Sequence, residues 1–294
     1  MSLKEFPSVQ NRIEFLSEYV QKPEAVIFNT DEIYSYLSDE NKEFLSPLSN
    51  HFETYLNCLT NVIRWKEHPY QKLTQKLNDT DYDHTLEMLK ISRDIKNLNF
   101  NSINFSDVEL ITLIHDGGEI ITDDISANHI ATNQPLADIK KLEPRVFVSC
   151  VLNQLKEKEF FILRKKIRNL YKRYESRHNN FSDTESHLVK LIDIFQGDNF
   201  GLENVYSKTK LDKAYGDDIF TSPDNFLSER INKEISQLKI VLDSLKDPQE
   251  KSKLFFYYKN QQFVKFSNPD YGFQKIFDNF SPTVCSIGQT LPSF

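Results

Sequence analysis

The sequence predicts an all-α protein of stacked antiparallel helix pairs, similar in arrangement to helical repeats. Only seven of its 294 residues are glycine, about a third of average usage, which disfavours tight hairpins and glycine-rich phosphate loops. Apolar residues recur at helical spacing, most regularly over 223–245. The stretch 144–178 has no breaker after its first proline, which predicts one long helix joining two lobes, 1–143 and 144–294.

The first lobe begins with a helix predicted over 8–20, where apolar residues keep helical spacing. The apolar stretch that follows, 25–37, suits either a strand or another helix. Ser46 and Pro47 then supply an N-cap and a proline at the first helical position. They predict a helix that ends near Pro69.

Two pairs of residues start the next predicted helices. Thr80 and Asp83 begin the first, and Ser106 with Glu109 forms a capping box at the start of the second. In a capping box, the cap side chain and an acid three residues later each accept a hydrogen bond from an unpaired backbone amide. Gly117 fits the end of the second helix, because glycine readily adopts the left-handed conformation found there.

The sequence that begins at Val108, VELITLIHDGGEIITDD, resembles the second helix and turn of one ankyrin repeat. The resemblance covers 107–125, without the opening of a repeat and without a second copy in the chain. It implies helices that stack on one another in the looser manner of repeat proteins. Another short helix is predicted over 134–142.

The long predicted helix has an apolar and a basic face in its second half. The apolar face is formed by Phe160, Leu163, Ile167, Leu170, Tyr171 and Tyr174. The basic ridge, on and beside the opposite face, consists of Arg164, Lys165, Arg168, Lys172 and Arg173. Because the chain carries a formal charge of -7, the ridge is either a solvated face or a docking surface for a partner with an acidic patch. The apolar pattern loses phase across 156–159, which predicts a bend or a change of neighbour.

The second lobe continues with three further predicted helices. A capping box at Ser182 and Glu185 starts the first, and Gly197 ends it. Pro223 and Pro248, each preceded by a capping residue, start two helices that meet at a tight turn. The aromatic C-terminal segment suits either core packing or a recognition surface.

Composition and charge favour a soluble protein in a reducing compartment. The three cysteines are far apart and lack CxxC spacing, so neither a disulfide framework nor a zinc knuckle is indicated. The N-terminus lacks the apolar run of a signal peptide, and no stretch is long and apolar enough to span a membrane. The acidic balance argues against nucleic acid as a partner. We expect a location in the cytoplasm or, after translocation, in a host cytosol, with a protein partner and no cofactor.

The standard catalytic and nucleotide-binding motifs are absent, but one cluster of titratable residues surrounds a Gly-Gly turn. Its members are His115, Asp116, Glu119, Asp123, Asp124 and His129. Such a cluster can supply a base with its orienting group, can bind a divalent metal, or can simply cap a helix. The spacing of His115 and Glu119 resembles the His/Glu pair of bacterial effector transferases that attach a nucleotide fragment to a target. The resemblance implies a catalytic role for these two residues, and we assign no metal ligand.

The usage of Lys, Asn, Ile, Phe and Tyr, together with the ankyrin-like fragment, resembles proteins that Legionella-type intracellular bacteria inject into host cells. These include regulators that bind another effector. The resemblance implies a protein-protein interaction module that binds and modulates another protein, and we predict this function rather than an enzyme. The alternative is an effector transferase that uses His115 and Glu119.

Overall fold

The computed structural model describes residues 31–64, 79–122, 124, 134–141, 143–148, 158–201 and 223–266. Within these residues the chain is all-α, as predicted, and its only β-type pairing there is an isolated bridge between Ile63 and Thr80. None of the helices in the described part is long and apolar enough to cross a membrane. The helix predicted over 8–20 and the aromatic residues after 266 lie outside these ranges.

The α-helices of the described part are numbered in chain order. They are α1 Asp31–Tyr36, α2 Asp39–Leu45, α3 Ser49–Leu59, α4 Asp81–Lys96, α5 Phe105–Ile114, α6 Glu119–Thr122, α7 Gln134–Lys140, α8 Glu143–Val146, α9 Phe161–Glu175, α10 Thr184–Gly201, α11 Pro223–Ser244 and α12 Pro248–Phe266. The stretch 25–37 suited either a strand or a helix, and in its second half the structure has helix α1. Helices α7, α11 and α12 lie where the sequence predicted them.

Helix α5 lies at the centre of the described fold. All of its residues except Asp107 are buried, as expected for a helix that is apolar around most of its circumference. Helices α2, α4, α9 and α10 pack around it. His115, which caps its C-terminal end, is therefore placed inside the molecule rather than at its surface.

One cluster of buried side chains joins described helices from both predicted lobes. It includes Leu89 and Ile111 from the first, and Leu188 and Phe255 from the second. Helix α10 of the second lobe packs directly on α4 and α5 of the first. The boundary between lobes 1–143 and 144–294 stays a prediction, as does the stacking of helix pairs as repeats.

The predicted helix over 144–178 is not one α-helix in its described parts. Helix α8 lies at its start, and 149–157 lie outside the described ranges. A 3₁₀ turn, Lys158–Phe160, then precedes α9. This tighter turn falls where the apolar pattern loses phase, and it shifts the face that the following helix buries. Helix α9 ends at Glu175, and a second 3₁₀ turn, Arg177–Asn179, follows it.

Helix starts agree with the sequence where the capping contacts are local. Helix α4 begins at Thr80 and Asp83 as predicted, and the two residues form a capping box. Ser106 and Glu109 do not form one, and Asn104 caps α5 instead. The reason is tertiary, because Glu109 is buried and accepts hydrogen bonds from the α1–α2 connection and from helix α2.

Several other predicted helix caps and bounds are wrong. Glu185 does not complete a capping box with Ser182, because its carboxylate accepts a hydrogen bond from the amide of Asn104. Helix α10 continues through Gly197 to its last residue four positions later. Ser46 lies in a 3₁₀ turn before α3 and does not cap that helix, which also ends before the predicted position.

Candidate metal centre

The candidate site forms where helices α4, α5 and α10 pack on one another. Asp81 and His84 lie one turn apart on α4, so both side chains project from the same face. His115 and Asp116 follow the buried end of α5, and α10 contributes Asp193. Packing of these helices therefore brings together residues that are far apart in the sequence.

His84, His115 and Asp193 form the first candidate group, with one ligand atom from each within 4.8 Å of the others. Nε2 of His84 lies 3.3 Å from Oδ1 of Asp193 and 3.8 Å from Oδ2 of Asp116. Nε2 of His115 lies 2.9 Å from the same Asp116 oxygen. Asp116 therefore belongs with this group, which comprises two imidazoles and two carboxylates.

Hydrogen bonds orient both imidazoles as metal ligands are oriented. Nδ1 of His84 lies 2.5 Å from Oε1 of Gln196, and Nδ1 of His115 lies 2.8 Å from the carbonyl oxygen of Thr112. Both partner oxygens accept, so each Nδ1 carries a proton and donates it. Both Nε2 atoms are buried and face carboxylates, that of His84 toward Asp193 and that of His115 toward Asp116. Burial lowers the pKa of His115, but Asp116 outweighs burial and raises it. Each Nε2 can bind a cation in place of its proton.

The two carboxylates of this group are held in the ionised form. Burial alone raises the pKa of Asp193, but Lys190, whose Nζ lies 2.5 Å from Oδ2, and His84 outweigh burial and hold that pKa well below its ordinary value. Burial likewise raises the pKa of Asp116, but His115 outweighs burial, so this pKa also lies below its ordinary value. Ionised carboxylates are the form that binds a metal.

A second candidate group, formed by Asp81, Asp116 and Glu119, adjoins the first. One oxygen from each residue lies within 4.8 Å of the others. Asp81 is fully buried, and neither of its carboxylate oxygens makes a hydrogen bond. Burial is the largest cause that raises the pKa of Asp81 and of Glu119 well above their ordinary values. Asp116 lies between the two groups and contributes to both.

Arg64 lies beside the shared carboxylate. Its Nη1 is 3.7 Å from Oδ2 of Asp116 and 3.8 Å from Oδ1 of Asp81. Backbone pairing holds it there, since the amide of Arg64 donates to the carbonyl oxygen of Asp79. The guanidinium is largely buried, and its Nε makes no hydrogen bond. The ion pairs of this arginine are long, so part of its donor capacity remains for another group.

Lys140 compensates the acids at the other side of the second group. Its Nζ lies 2.5 Å from Oε1 of Glu119 and 2.8 Å from Oε1 of Glu143. Glu143 also accepts a hydrogen bond from the hydroxyl of Thr122 at 2.8 Å. A Cβ at Gly118 would lie 2.5 Å from Cβ and 2.9 Å from Cα of Glu143. Glycine thus lets α8 pack directly on the turn that carries Asp116 and Glu119.

The structure brings together the central part of the predicted titratable cluster. His115, Asp116 and Glu119 all lie in the site, including both residues of the transferase alternative. Asp124 is described and is close enough to raise the pKa of Asp81. The two other members, at positions 123 and 129, lie outside the described residues.

Sequence reasoning missed Asp81, His84 and Asp193. A weak signal exists for Asp193, which stands between Ile192 and Ile194 in a helix whose neighbouring positions are apolar. A charged residue at a buried helical position needs a partner. Nothing local identifies that partner as a histidine from α4, so the site itself was not predictable from spacing.

The residues of the basic ridge differ in exposure and in ion pairing. Its exposed members are Lys165, Arg168 and Lys172. Arg173 instead forms ion pairs at 2.7 to 3.1 Å with three acids, namely Asp107 of α5, Asp183 just before α10 and Glu185 of α10. Its charge is therefore already compensated. The binding of a partner by the ridge, Arg164 included, stays a prediction.

Comparisons of the chain with protein-family models, with curated proteins and with solved structures found no match. The fold and the site together define an all-α protein with a candidate divalent-metal centre of mixed nitrogen and oxygen ligands.

Proposed function

We propose that this protein is a metal-dependent hydrolase whose cation is bound by His84, His115, Asp116 and Asp193. The observation that carries the proposal is the pair of buried imidazoles. Each donates through Nδ1 to a fixed acceptor and directs Nε2 at two ionised carboxylates. Metal-binding histidines regularly have such an outer partner, which fixes the tautomer that leaves Nε2 for the ion.

The ligand set favours a first-row transition ion such as Mn²⁺, Fe²⁺, Co²⁺ or Zn²⁺. Imidazole suits these ions better than Mg²⁺ or Ca²⁺, and the carboxylates suit the harder members of the series. Four side chains leave coordination positions for water and substrate on an octahedral ion. When bound, such an ion would lower the pKa of a coordinated water toward neutrality and so would supply a hydroxide nucleophile.

Arg64 favours a phosphate ester as the substrate. Its guanidinium is planar, always charged and suited to two-point contact with phosphate oxygens. It lies within 3.7 Å of the shared carboxylate oxygen of Asp116. In the proposed reaction, water oxygen bonds to phosphorus as the ester P–O bond breaks. The departing alkoxide takes up a proton, and the products are phosphate and an alcohol.

Hydrolysis of p-nitrophenyl phosphate after chelation and reloading with Mn²⁺, Co²⁺ or Zn²⁺ tests this proposal. We expect metal-dependent activity that falls at least ~100-fold in His84→Ala and Asp193→Asn, because each removes a ligand. Asp94→Asn, which changes an exposed acid on the same helix as His84, is the control and should retain activity. A protein that binds none of these ions tightly, or activity that is equal in His84→Ala, would refute the metal centre.

The effector transferase stays the alternative for this site, since it uses His115 and Glu119. The two functions differ in where the substrate fragment goes. A transferase attaches it to a protein side chain, whereas a hydrolase releases it to water. Mass spectrometry of a reaction with a nucleotide and a mixture of candidate proteins distinguishes these products.

Protein binding at α9 is a second candidate function. It is favoured by the exposed apolar residues Phe161 and Ile162, 56% and 76% accessible, which precede the exposed cations of the basic ridge. An apolar patch beside positive charge suits a partner with an acidic rim.

We expect a variant with Lys165, Arg168 and Lys172 all changed to Glu to lose a partner that the native chain captures. Capture of the same protein by both chains would leave the ridge a solvated face. A role as a translocated effector or as a regulator of one, inferred from the resemblance, likewise stays a prediction.

A further inference from the structure

We propose that Asp81, Asp116 and Glu119 bind a second divalent cation beside the first, and that Asp116 is shared by the two ions. The inference rests on the proposed function, because the second ion would act on the substrate of the same hydrolytic centre. It concerns residues that the first metal does not require, namely Asp81 and Glu119. The two proposals can therefore fail separately.

The observation that indicates a ligand is the state of Asp81. This side chain is fully buried, and neither carboxylate oxygen has a hydrogen-bond partner. Nη1 of Arg64, at 3.8 Å from Oδ1, is a long ion pair that supplies no hydrogen bond. Leaving a buried charged acceptor in this state is strongly unfavourable, typically by more than the ~1–3 kcal/mol of a neutral group. A cation bound directly to the carboxylate removes that penalty.

Protonation of Asp81 does not satisfy the side chain equally well. A neutral carboxylic acid has an O–H group that must donate to an acceptor. The acceptors that the structure offers such a donor are the carboxylates of Asp116 and Glu119, since one oxygen of each lies within 4.8 Å of an Asp81 oxygen. A proton shared with one of them would pair two of the three acids, whereas a cation would contact all three.

Helix geometry directs all three carboxylates at one point. Asp81 lies one turn before the ligand His84 on α4, on the same face. Glu119 lies three residues after Asp116, across a turn closed by a hydrogen bond from the amide of Glu119 to the carbonyl oxygen of Asp116 at 2.9 Å. The second group is therefore built on the start of α4 and the turn after α5, which also carry His84, His115 and Asp116 of the first group.

The ligand chemistry identifies the class of ion. Three carboxylate oxygens and no nitrogen favour a hard cation, Mg²⁺ or Mn²⁺. Around an octahedral Mg²⁺ ion, ligand oxygens lie roughly 3 Å apart when adjacent and roughly 4 Å apart when opposite. The three oxygens lie within 4.8 Å of one another, which is close to this spacing. The two sites thus differ, with one mixed in its ligands and one of oxygen alone.

Charge balance also favours a second cation. Lys140 compensates Glu119 through one contact at 2.5 Å, but it is shared with Glu143. Arg64 is likewise shared among several acids. Two ions bridged by one carboxylate are an arrangement that stabilises both the attacking and the leaving oxygen of a phosphoryl displacement. The second ion therefore gives Asp81 and Glu119 a role in holding the phosphate.

Mn²⁺ binding measured by equilibrium dialysis and by electron paramagnetic resonance tests this site. We expect the native chain to bind two Mn²⁺ ions that are magnetically coupled, since they share a carboxylate. Asp81→Asn and, separately, Glu119→Gln should each bind one uncoupled ion. Asp94→Asn should bind two coupled ions, as the matched exposed change on helix α4. Circular dichroism confirms that each variant is folded.

The outcomes separate the second site from the first. A native chain that binds one Mn²⁺ ion overturns the second site and leaves the proposed hydrolase intact, whereas a chain that binds none overturns both. Two coupled ions in Asp81→Asn and in Glu119→Gln would show that these residues are not ligands. Loss of both ions in either variant would show that its side chain serves the first centre, and this also overturns the proposal of a separate site.

Discussion

Gln196 is the side chain that orients His84. Its Oε1 accepts a hydrogen bond from Nδ1 of His84 at 2.5 Å, inside the core between α4 and α10. Leucine at position 196 fills similar space without an acceptor, so the imidazole loses the bond that directs Nε2 at the metal. We predict that Gln196→Leu lowers Mn²⁺ affinity by about 10- to 100-fold, as measured by equilibrium dialysis.

A matched control separates this effect from a general one. Gln249→Leu makes the same change at an exposed position of α12 and should leave Mn²⁺ affinity unchanged. If Gln196→Leu binds Mn²⁺ as tightly as the native protein, then Gln196 only fills space and the orientation of His84 has another source.

Asp81 and Asp83 show how two acids of one helical turn acquire different roles. Asp83 completes the capping box, in which its Oδ2 accepts from the amide and the hydroxyl of Thr80. Asp81 is turned inward and has no such partner. A helical step of about 100° per residue is the cause, because it puts residues two apart on different sides of the helix. One residue therefore serves the helix and the other faces the site.

Helix α9 is attached to its neighbours through Arg173. The guanidinium contacts Asp107 of α5 and Asp183 before α10, at 2.7 and 2.8 Å. Alanine at position 173 leaves Asp183, whose side chain is 3% exposed, without its charged donor. We predict that Arg173→Ala lowers the free energy of unfolding by about 1–3 kcal/mol, as measured by urea denaturation. Lys172→Ala removes an exposed cation from the same helix and should change it by less than about 0.5 kcal/mol.

The Arg173 effect should depend on pH in a stated direction. Burial alone raises the pKa of Asp183, but the hydrogen bonds from Arg173 outweigh it, so the pKa lies below its ordinary value in the folded protein. The stabilisation is therefore fully present above the unfolded-state pKa of about 3.9 and is lost as pH falls through the folded-state value. The difference between native protein and Arg173→Ala should narrow on acidification. A difference that stays constant from neutral pH into this acid range would mean that lost packing, not the ion pair, explains the variant.

Local signals predicted elements well where local contacts decide them. Helix α4 begins at Thr80 and Asp83 as predicted, since the hydrogen bonds that cap it lie within one turn. Glu109 has the same spacing from Ser106, yet it accepts hydrogen bonds from Asn41 and from the α1–α2 connection. Tertiary partners outcompete a local cap when the helix start is buried, and the sequence near position 106 does not contain those partners.

At the level of the whole molecule, the site is a product of packing. The doublet of His115 and Asp116 stands out in the sequence because it follows an apolar helix and precedes two glycines. His84 and Asp193 carry no comparable local signal, since His84 lies among other polar residues at the start of α4 and Asp193 is one acid in an apolar stretch of α10. They join the doublet only because α4 and α10 both pack against α5. The fold class and part of the cluster were therefore predictable from local pattern, whereas the ligand set was not.

The site should couple metal binding to the stability of the entire fold. Its ligands come from α4, α5 and α10, so a bound cation links three helices that unfolding would separate. A ligand that binds only the folded state stabilises it by about 2.7 kcal/mol at a concentration 100 times its Kd. We predict that saturating Mn²⁺ raises Tm by several degrees relative to the chelated protein, and that amide hydrogen exchange slows first in these three helices. In His84→Ala the rise should disappear, because Mn²⁺ then lacks an inner ligand. An equal rise in Tm in that variant would mean that the stabilising ion binds elsewhere on this acidic chain. Mn²⁺ binding at the candidate centre would then not be what stabilises the fold.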